Sequence, residues 1–217
     1  MQSIEYIYSA HSAFAWLGSA RLSEICARHG ARLVHRPIDL SPVVEAAGGL
    51  PFAARSQAHV DYFFGRDIEH WAEYRNVSVV HHRPTHHDNP LTLPNGAIIA
   101  AQEAGQGADA LAHAILGAHW RDDADIADPA ALAHLIAGCG LDPDAILTAA
   151  LSDEIQAIHR ANTAEAIARD VFGSPTYIVG GDPFYGQDRL DLVERALTRP
   201  FAASTWRNPP VGPKLGP

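Results

Sequence analysis

Two short stretches of this chain carry groups that can do chemistry. The first is Ser9-Ala-His-Ser12, set between a β-rich run and a helical pattern. A hydroxyl at the amino end of a helix sits where the dipole favours negative charge. Ser12 is therefore placed to cap that helix, or to hydrogen-bond an anion such as a thiolate. Both are compatible in principle, but one hydroxyl proton serves one acceptor at a time. The second stretch is Gly173-Ser174-Pro175, which leads into Thr176-Tyr-Ile-Val179. An X-Pro bond tolerates the cis form at small cost. A cis Ser174–Pro175 bond turns the backbone sharply and leaves the groups of Ser174 free to pair with an extended ligand, as an added strand does. The alternative is a trans proline that simply opens a strand. His81, His82, His86 and His87 lie among prolines. Their spacing is not that of a helical metal-binding pair and no cysteine is near, so they read as a solvated loop and no metal site is expected.

The elements that must position these groups follow in order. Ile4–Tyr8 reads as a strand, about Ala13 to Arg28 as a helix stopped by Gly30, and Leu33–His35 as a second strand ended by Pro37. Strand, helix and strand in so short a length is a βαβ unit with parallel strands. A loop follows from Ser41 to Pro51, then helices: one from Arg55 to about Val77, which carries Phe63, Ile68, Trp71, Ala72 and Tyr74, with Trp71 and Tyr74 read as core, and, beyond a long loop from Val79 to Pro94, two more at Asn95–Ala104 and Ala108–Trp120. Asp128-Pro129 and Asp142-Pro143 each read as a cap followed by proline at the first helical position, and Ser152 starts the helix that leads to Arg169. Thr176–Val179, a Gly180-Gly181-Asp182 turn and Pro183–Tyr185 make a hairpin, and a last helix runs from about Asp188 to Leu197. Tyr8 and Tyr185 fit either a cleft wall or a half-buried sheet position. The order β-α-β, helical block, β-β-α describes an α/β fold: a thioredoxin-like domain of residues 1–50 and 171–200, a helical insertion of residues 51–170, and an extended tail, 201–217, that packs on a neighbour through Phe201 or Trp206.

Composition sets the partners. With 47% hydrophobic and 19% charged residues the chain reads as soluble and globular, and a formal net charge of -9 argues against a nucleic-acid backbone as partner. No run of apolar residues is long enough to span a membrane, and the first residues lack the basic and apolar regions of a secretory signal. Cys26 and Cys139 form no CxxC pair. A reducing cytoplasm is the expected compartment.

In a thioredoxin-like fold the redox cysteines stand at the start of the first helix, and here Ala10-His-Ser-Ala13 stands instead, which excludes thiol–disulfide exchange by the protein at that site. Four motifs, Ser12-Ala-Phe-Ala-Trp-Leu17, Asp67-Ile-Glu-His-Trp-Ala72, Phe172-Gly-Ser-Pro-Thr176 and Phe184-Tyr-Gly-Gln-Asp-Arg-Leu190, span almost the whole chain. In them the sequence resembles the 2-hydroxychromene-2-carboxylate isomerases, which share a fold with kappa-class glutathione transferases and DsbA-type oxidoreductases. The resemblance implies glutathione as cofactor, a cis Pro175, and Ser12 as the catalytic donor to the glutathione sulfur. It also implies that Ser174 pairs its backbone with the cysteinyl part and that Gln187 and Asp188 bind the γ-glutamyl end; Asp188 also suits a helix cap. It implies a homodimer and a small aromatic or enol carboxylate as substrate, isomerised by reversible thiolate addition in aromatic-compound catabolism.

The chain departs from that family in three ways. Ala13 stands where the family has proline, Gly49 where it has asparagine, and the single lysine is Lys214. A substrate or glycyl carboxylate then needs Arg55, Arg66 or Arg36, with His59 a weaker candidate. His11 either shapes the turn or works as an acid/base beside Ser12. Two other readings share the fold: a kappa-type transferase or peroxidase, and a binding protein without catalysis.

Overall fold

The structure is a computed structural model, and it describes residues 2–209. The expectation for the tail falls in part on residues 210–217, which lie outside the described residues. A four-stranded sheet in the order β2-β1-β3-β4 is built from β1 (Ser3–Tyr8), β2 (Arg32–Pro37), β3 (Thr176–Val179) and β4 (Asp182–Tyr185). β1 pairs parallel with β2 and antiparallel with β3, and β3 pairs antiparallel with β4. Val179 faces Asp182, so the hairpin turn is Gly180-Gly181, both at positive φ as a tight primed turn requires.

Side chains alternate across the sheet and divide the core in two. Ile4, Tyr6, Tyr8 and Tyr177 join one cluster, where the rings of Tyr6 and Tyr8 stack at 3.9 Å and those of Tyr6 and Tyr177 at 5.3 Å. Ile7 and Ile178 join the other, with Ile38, Val43 and Val171. Tyr8 is wholly core: its hydroxyl meets His35 Nδ1 at 2.8 Å and does not reach a cleft.

α1 (Ala13–His29) connects β1 to β2, and Ser12 is its N-cap. α2 (Leu40–Ala46) occupies what the sequence reads as loop. Pro42 falls in its first turn, where a missing N–H costs nothing, so the proline that suggests a loop is compatible with a helix start. A 3-10 turn (Phe52–Ala54) precedes the single helix expected from Arg55 to Val77, which is broken into α3 (Gln57–Asp61), a π-helical turn (Tyr62–Arg66) and α4 (Asp67–Arg75). Tyr74, read as core, is 77% exposed and lies edge-on to Trp71, which is only partly buried. α4 buries Ile68 and Ala72, and at about 100° per residue Tyr74 falls on the opposite side from Ala72.

Next come α5 (Thr92–Glu103), α6 (Ala108–Trp120), α7 (Pro129–Gly138), α8 (Pro143–Ala150) and α9 (Asp153–Ala168). α5 begins before the expected Asn95 because Pro94 again sits inside a first turn. It is the axis of the helical block, packed on α6, α8, α9 and β2. A 3-10 turn (Gln187–Arg189) leads into α10 (Leu190–Thr198). Phe201 rests on its own chain, 5.9 Å from Phe184 and beneath the Arg195 guanidinium, while Trp206 is exposed. No helix among the described residues is long and apolar enough to cross a membrane.

α1 is gripped between the sheet, α4, α6 and α10, and Gly18 lets it come close to the turn before α10. A Cβ at that position would stand 2.8 Å from Gln187 Cβ and 3.1 Å from the Tyr177 hydroxyl. Gly18→Ala should therefore lower unfolding free energy by about 1–3 kcal/mol, despite a helix-propensity gain of about 1 kcal/mol. Gly138→Ala, in open space, should be neutral or slightly stabilising. Urea unfolding of the two variants checks this.

Candidate active site

The turn after β1 and the loop before β3 face each other and are joined by hydrogen bonds. Ser9 N donates to Ser174 Oγ at 3.2 Å, and Ser12 Oγ donates to the Ser174 carbonyl at 3.4 Å. The same Ser12 oxygen accepts from Ala15 N at 3.3 Å, which caps α1. Both readings of Ser12 are thus available at once: its lone pair serves the helix while its proton rests in a long, weak bond. The Ser174–Pro175 peptide is cis. Behind the turn, the fully buried Asn95 of α5 accepts from Ala10 N at 3.0 Å and gives its amide to Ile38 O and His159 Nε2.

Ser12 and Ser174 open onto a cavity of about 270 Å³. Its walls are aromatic. Phe14 lies 4.9 Å from Phe63, Phe63 is 5.0 Å from Phe64, and Phe172 and Tyr185 lie across from them. The π-helical turn of the previous section supplies Phe63 and Phe64, so the irregularity that defeats helical periodicity is what builds this wall. Tyr185 faces the cleft, one of the two positions its sequence context allows.

Arg55 lines the cavity, with its guanidinium 5.0 Å above the Phe64 ring and its Nε donating to Leu50 O at 3.0 Å. Arg83 lines it as well, paired with Asp88 at 2.6 Å and 5.4 Å above Phe52. The sequence reading missed Arg83 because it lies in the histidine loop, and only the fold carries that loop to the mouth. Arg36 is elsewhere, near Glu5, Glu165 and Asn162, and Arg66 pairs with Glu69 outside the cavity. His59 meets Arg55 at 3.3 Å but does not line the cavity. Gly49 does line it; a Cβ there would stand 2.5 Å from Val44 Cγ1, so this backbone admits no asparagine without moving α2.

An adjoining cavity of about 220 Å³ shares Phe14, Phe63, Ser174 and Tyr185 with the first and continues to Asp67, Gln187 and Asp188. Gln187 is 2% exposed, and its side-chain oxygen accepts from Arg75 Nε at 3.2 Å. Asp188 pairs with Arg189 at 2.6 Å and makes no capping bond to the last helix. Burial, with the Asp188 charge adding to it, raises the Asp67 carboxyl above its usual range. Two carboxylates facing one cavity can receive an ammonium group.

His11, beside Ser12, holds Nδ1 2.9 Å from Ser9 Oγ and lines the cavity with His87. His87 Nδ1 meets His119 Nε2 at 2.8 Å, so the loop histidines are not all solvated. Burial first, then the neighbouring imidazoles and Arg83, lowers His11 to about 4 and His87 to about 2; burial lowers His119 to about 4. Among the described residues no group of side chains is arranged to hold a metal ion. Cys26 and Cys139 are free, and burial pushes the Cys26 thiol up to about 11.

The DSBA-like thioredoxin domain model matches residues 3–198. The chain belongs to that family. Among curated proteins it is 28% identical over 204 residues to a 2-hydroxychromene-2-carboxylate isomerase of Sphingobium xenophagum, covering 90% of this chain and 98% of that one. A protein of the same name from Pseudomonas putida is 27% identical over 198 residues, covering 90% and 94%. Among solved structures, a 2-hydroxychromene-2-carboxylate isomerase superposes with a TM-score of 0.79 at 25% identity, over 91% of this chain and 95% of that one. A probable DsbA oxidoreductase from Streptomyces coelicolor gives 0.72 at 19% identity, over 96% and 93%, and shows the shared fold. The similarity extends along nearly the whole DSBA-like domain, and no cysteine stands at the start of α1.

The lowered imidazoles make stability depend on pH. An unfolded histidine titrates near 6.5, so below that pH the unfolded chain binds protons the folded chain refuses. Their stabilising contribution is complete above about pH 6.5 and is lost as the pH falls towards about 4, by up to about 1.4 kcal/mol per pH unit for each ring. Urea unfolding at intervals between about pH 7 and pH 5 should show this slope, and His119→Gln should reduce it by about one ring's share.

Proposed function

We propose that this chain is a glutathione-dependent isomerase acting on a small aromatic or enol carboxylate in the breakdown of aromatic compounds. The observation that carries the reading is Ser12: a hydroxyl at the amino end of α1, opposite the Ser174 backbone, opening into an aromatic cavity that contains no cysteine. Relatives named 2-hydroxychromene-2-carboxylate isomerase, similar over nearly their whole length, support the isomerase part of this reading.

The residues present fit the tripeptide. Asp188 and Asp67 suit its ammonium end, the Ser174 backbone its extended middle, and Arg55 a carboxylate. When bound, glutathione supplies a sulfur nucleophile able to add reversibly to an unsaturated carbon. The chain's own residues do the rest. The Ser12 proton, weakly engaged at 3.4 Å, turns to an anion held at the α1 terminus, where the helix dipole adds to its stabilisation. Phe14, Phe63 and Phe64 exclude water and give a flat ring a surface to stack on. Arg83 meets the substrate carboxylate, since the single lysine, Lys214, lies in the tail.

Ser12→Ala should reduce turnover of 2-hydroxychromene-2-carboxylate by about 10²–10³-fold. Its stability should fall by only about 1 kcal/mol for the lost cap. Retained turnover in the folded variant would refute the assignment. Calorimetry with glutathione and product analysis separate the rival readings: accumulating conjugate marks a kappa-type transferase, and no binding heat marks a protein that does not use the tripeptide.

A further inference from the structure

We propose that His11 and His87 are the acid–base pair of this site, with His119 as the positioning residue that holds His87, so that the trio takes up a proton when an anion enters the cavity and returns it as the anion leaves. The proposal rests on the glutathione reading above.

Three separate elements bring these rings together: the turn before α1, the loop before α5, and the last turn of α6. His11 and His87 lie with ring centroids 4.6 Å apart, and His87 stacks on His119 at 5.1 Å. Each of the two cavity-facing rings is fixed from behind through Nδ1, His11 by Ser9 Oγ at 2.9 Å and His87 by His119 Nε2 at 2.8 Å. That leaves Nε2 of both rings without a protein partner among the described residues, and neither atom is among those buried unsatisfied. Nδ1 of His119 is buried and turned to the backbone at Ala124, away from the cavity. Trp120 Nε1 donates to His11 O at 2.8 Å and ties the turn to α6.

Reversible addition of a thiol to a conjugated double bond needs one mobile proton. It passes from sulfur to a ring nitrogen of His11 or His87 as the thiolate forms; the carbon–sulfur bond then forms while the double-bond pair moves to the conjugated carbonyl oxygen. The proton joins that oxygen, and it returns when the pair moves back and the carbon–sulfur bond breaks. No electrons are gained or lost overall. The cavity offers few other carriers: it has no lysine, and burial raises the Tyr185 hydroxyl. The rings are neutral at rest, because burial and mutual repulsion oppose charge, so each has a lone pair to offer. An anion placed against them reverses that balance. The charged groups that also face the trio are Arg83, His86 and Asp88 of the loop, and Asp123 and Asp125 after α6.

The test is a titration of the full chain with glutathione near neutral pH, following histidine ring nitrogens by NMR, thiolate by ultraviolet absorbance, and protons by calorimetry in buffers of different ionisation heat. The proposal predicts neutral rings before addition, then one protonated ring per thiolate formed and almost no proton released to buffer. His87→Gln should still bind glutathione but release the proton, and its turnover should fall by about 10²-fold with KM little changed. Thiolate formed with all rings neutral and one proton released would overturn the relay and leave the glutathione reading standing. Absence of any binding would overturn both.

Discussion

The contact on which the rest depends is the stitch between two loops that are distant in sequence. Ser9 and Ser12 on one side meet Ser174 on the other, just beyond the Ile7–Thr176 end of the β1–β3 ladder. The stitch uses the side-chain oxygen of Ser174 and leaves its carbonyl in only a long contact with Ser12. Asn95 fixes the same turn from behind through the Ala10 amide. A buried polar group of this kind is costly unless satisfied, and Asn95 is satisfied on both sides of its amide. The result is a hydroxyl held rigidly at a helix terminus and facing open space.

Around that hydroxyl the charges are sorted by position. Carboxylates stand at one end of the joined cavities, at Asp67 and Asp188, and guanidinium groups at the mouth, at Arg55 and Arg83, over aromatic rings. Between them the walls are apolar and the imidazoles neutral. A low local dielectric strengthens every interaction an entering ion makes, so few groups suffice. The same burial holds His11, His87 and His119 below the usual imidazole range, which makes the stability of the fold fall at mild acid pH.

Much of this was legible in the sequence where the signal is local. The β-α-β and β-β-α halves follow from short β-rich runs, helix caps and glycine turns, and the helix start at Ser12 from its place after β1. The cis bond at Pro175 rested on the resemblance, since the local sequence allows either isomer. What stayed hidden was set by long-range geometry. The π turn that breaks the expected Arg55–Val77 helix leaves no mark in composition, and it carries Phe63 and Phe64 of the cavity wall. Prolines 42 and 94 read as loop signals because a proline in a first helical turn and a proline in a loop look alike. Arg83 and His87 sit in a segment that only the fold brings to the cavity, and His119 looks like any residue on an alanine-rich helix.

The most direct measurement of the central claim is a crystal structure of the chain grown with glutathione. The account predicts the sulfur within hydrogen-bond distance of Ser12 Oγ, the cysteinyl backbone paired with Ser174, and the amino end between Asp67 and Asp188. A tripeptide bound elsewhere, or a sulfur turned away from Ser12 towards solvent, would contradict it.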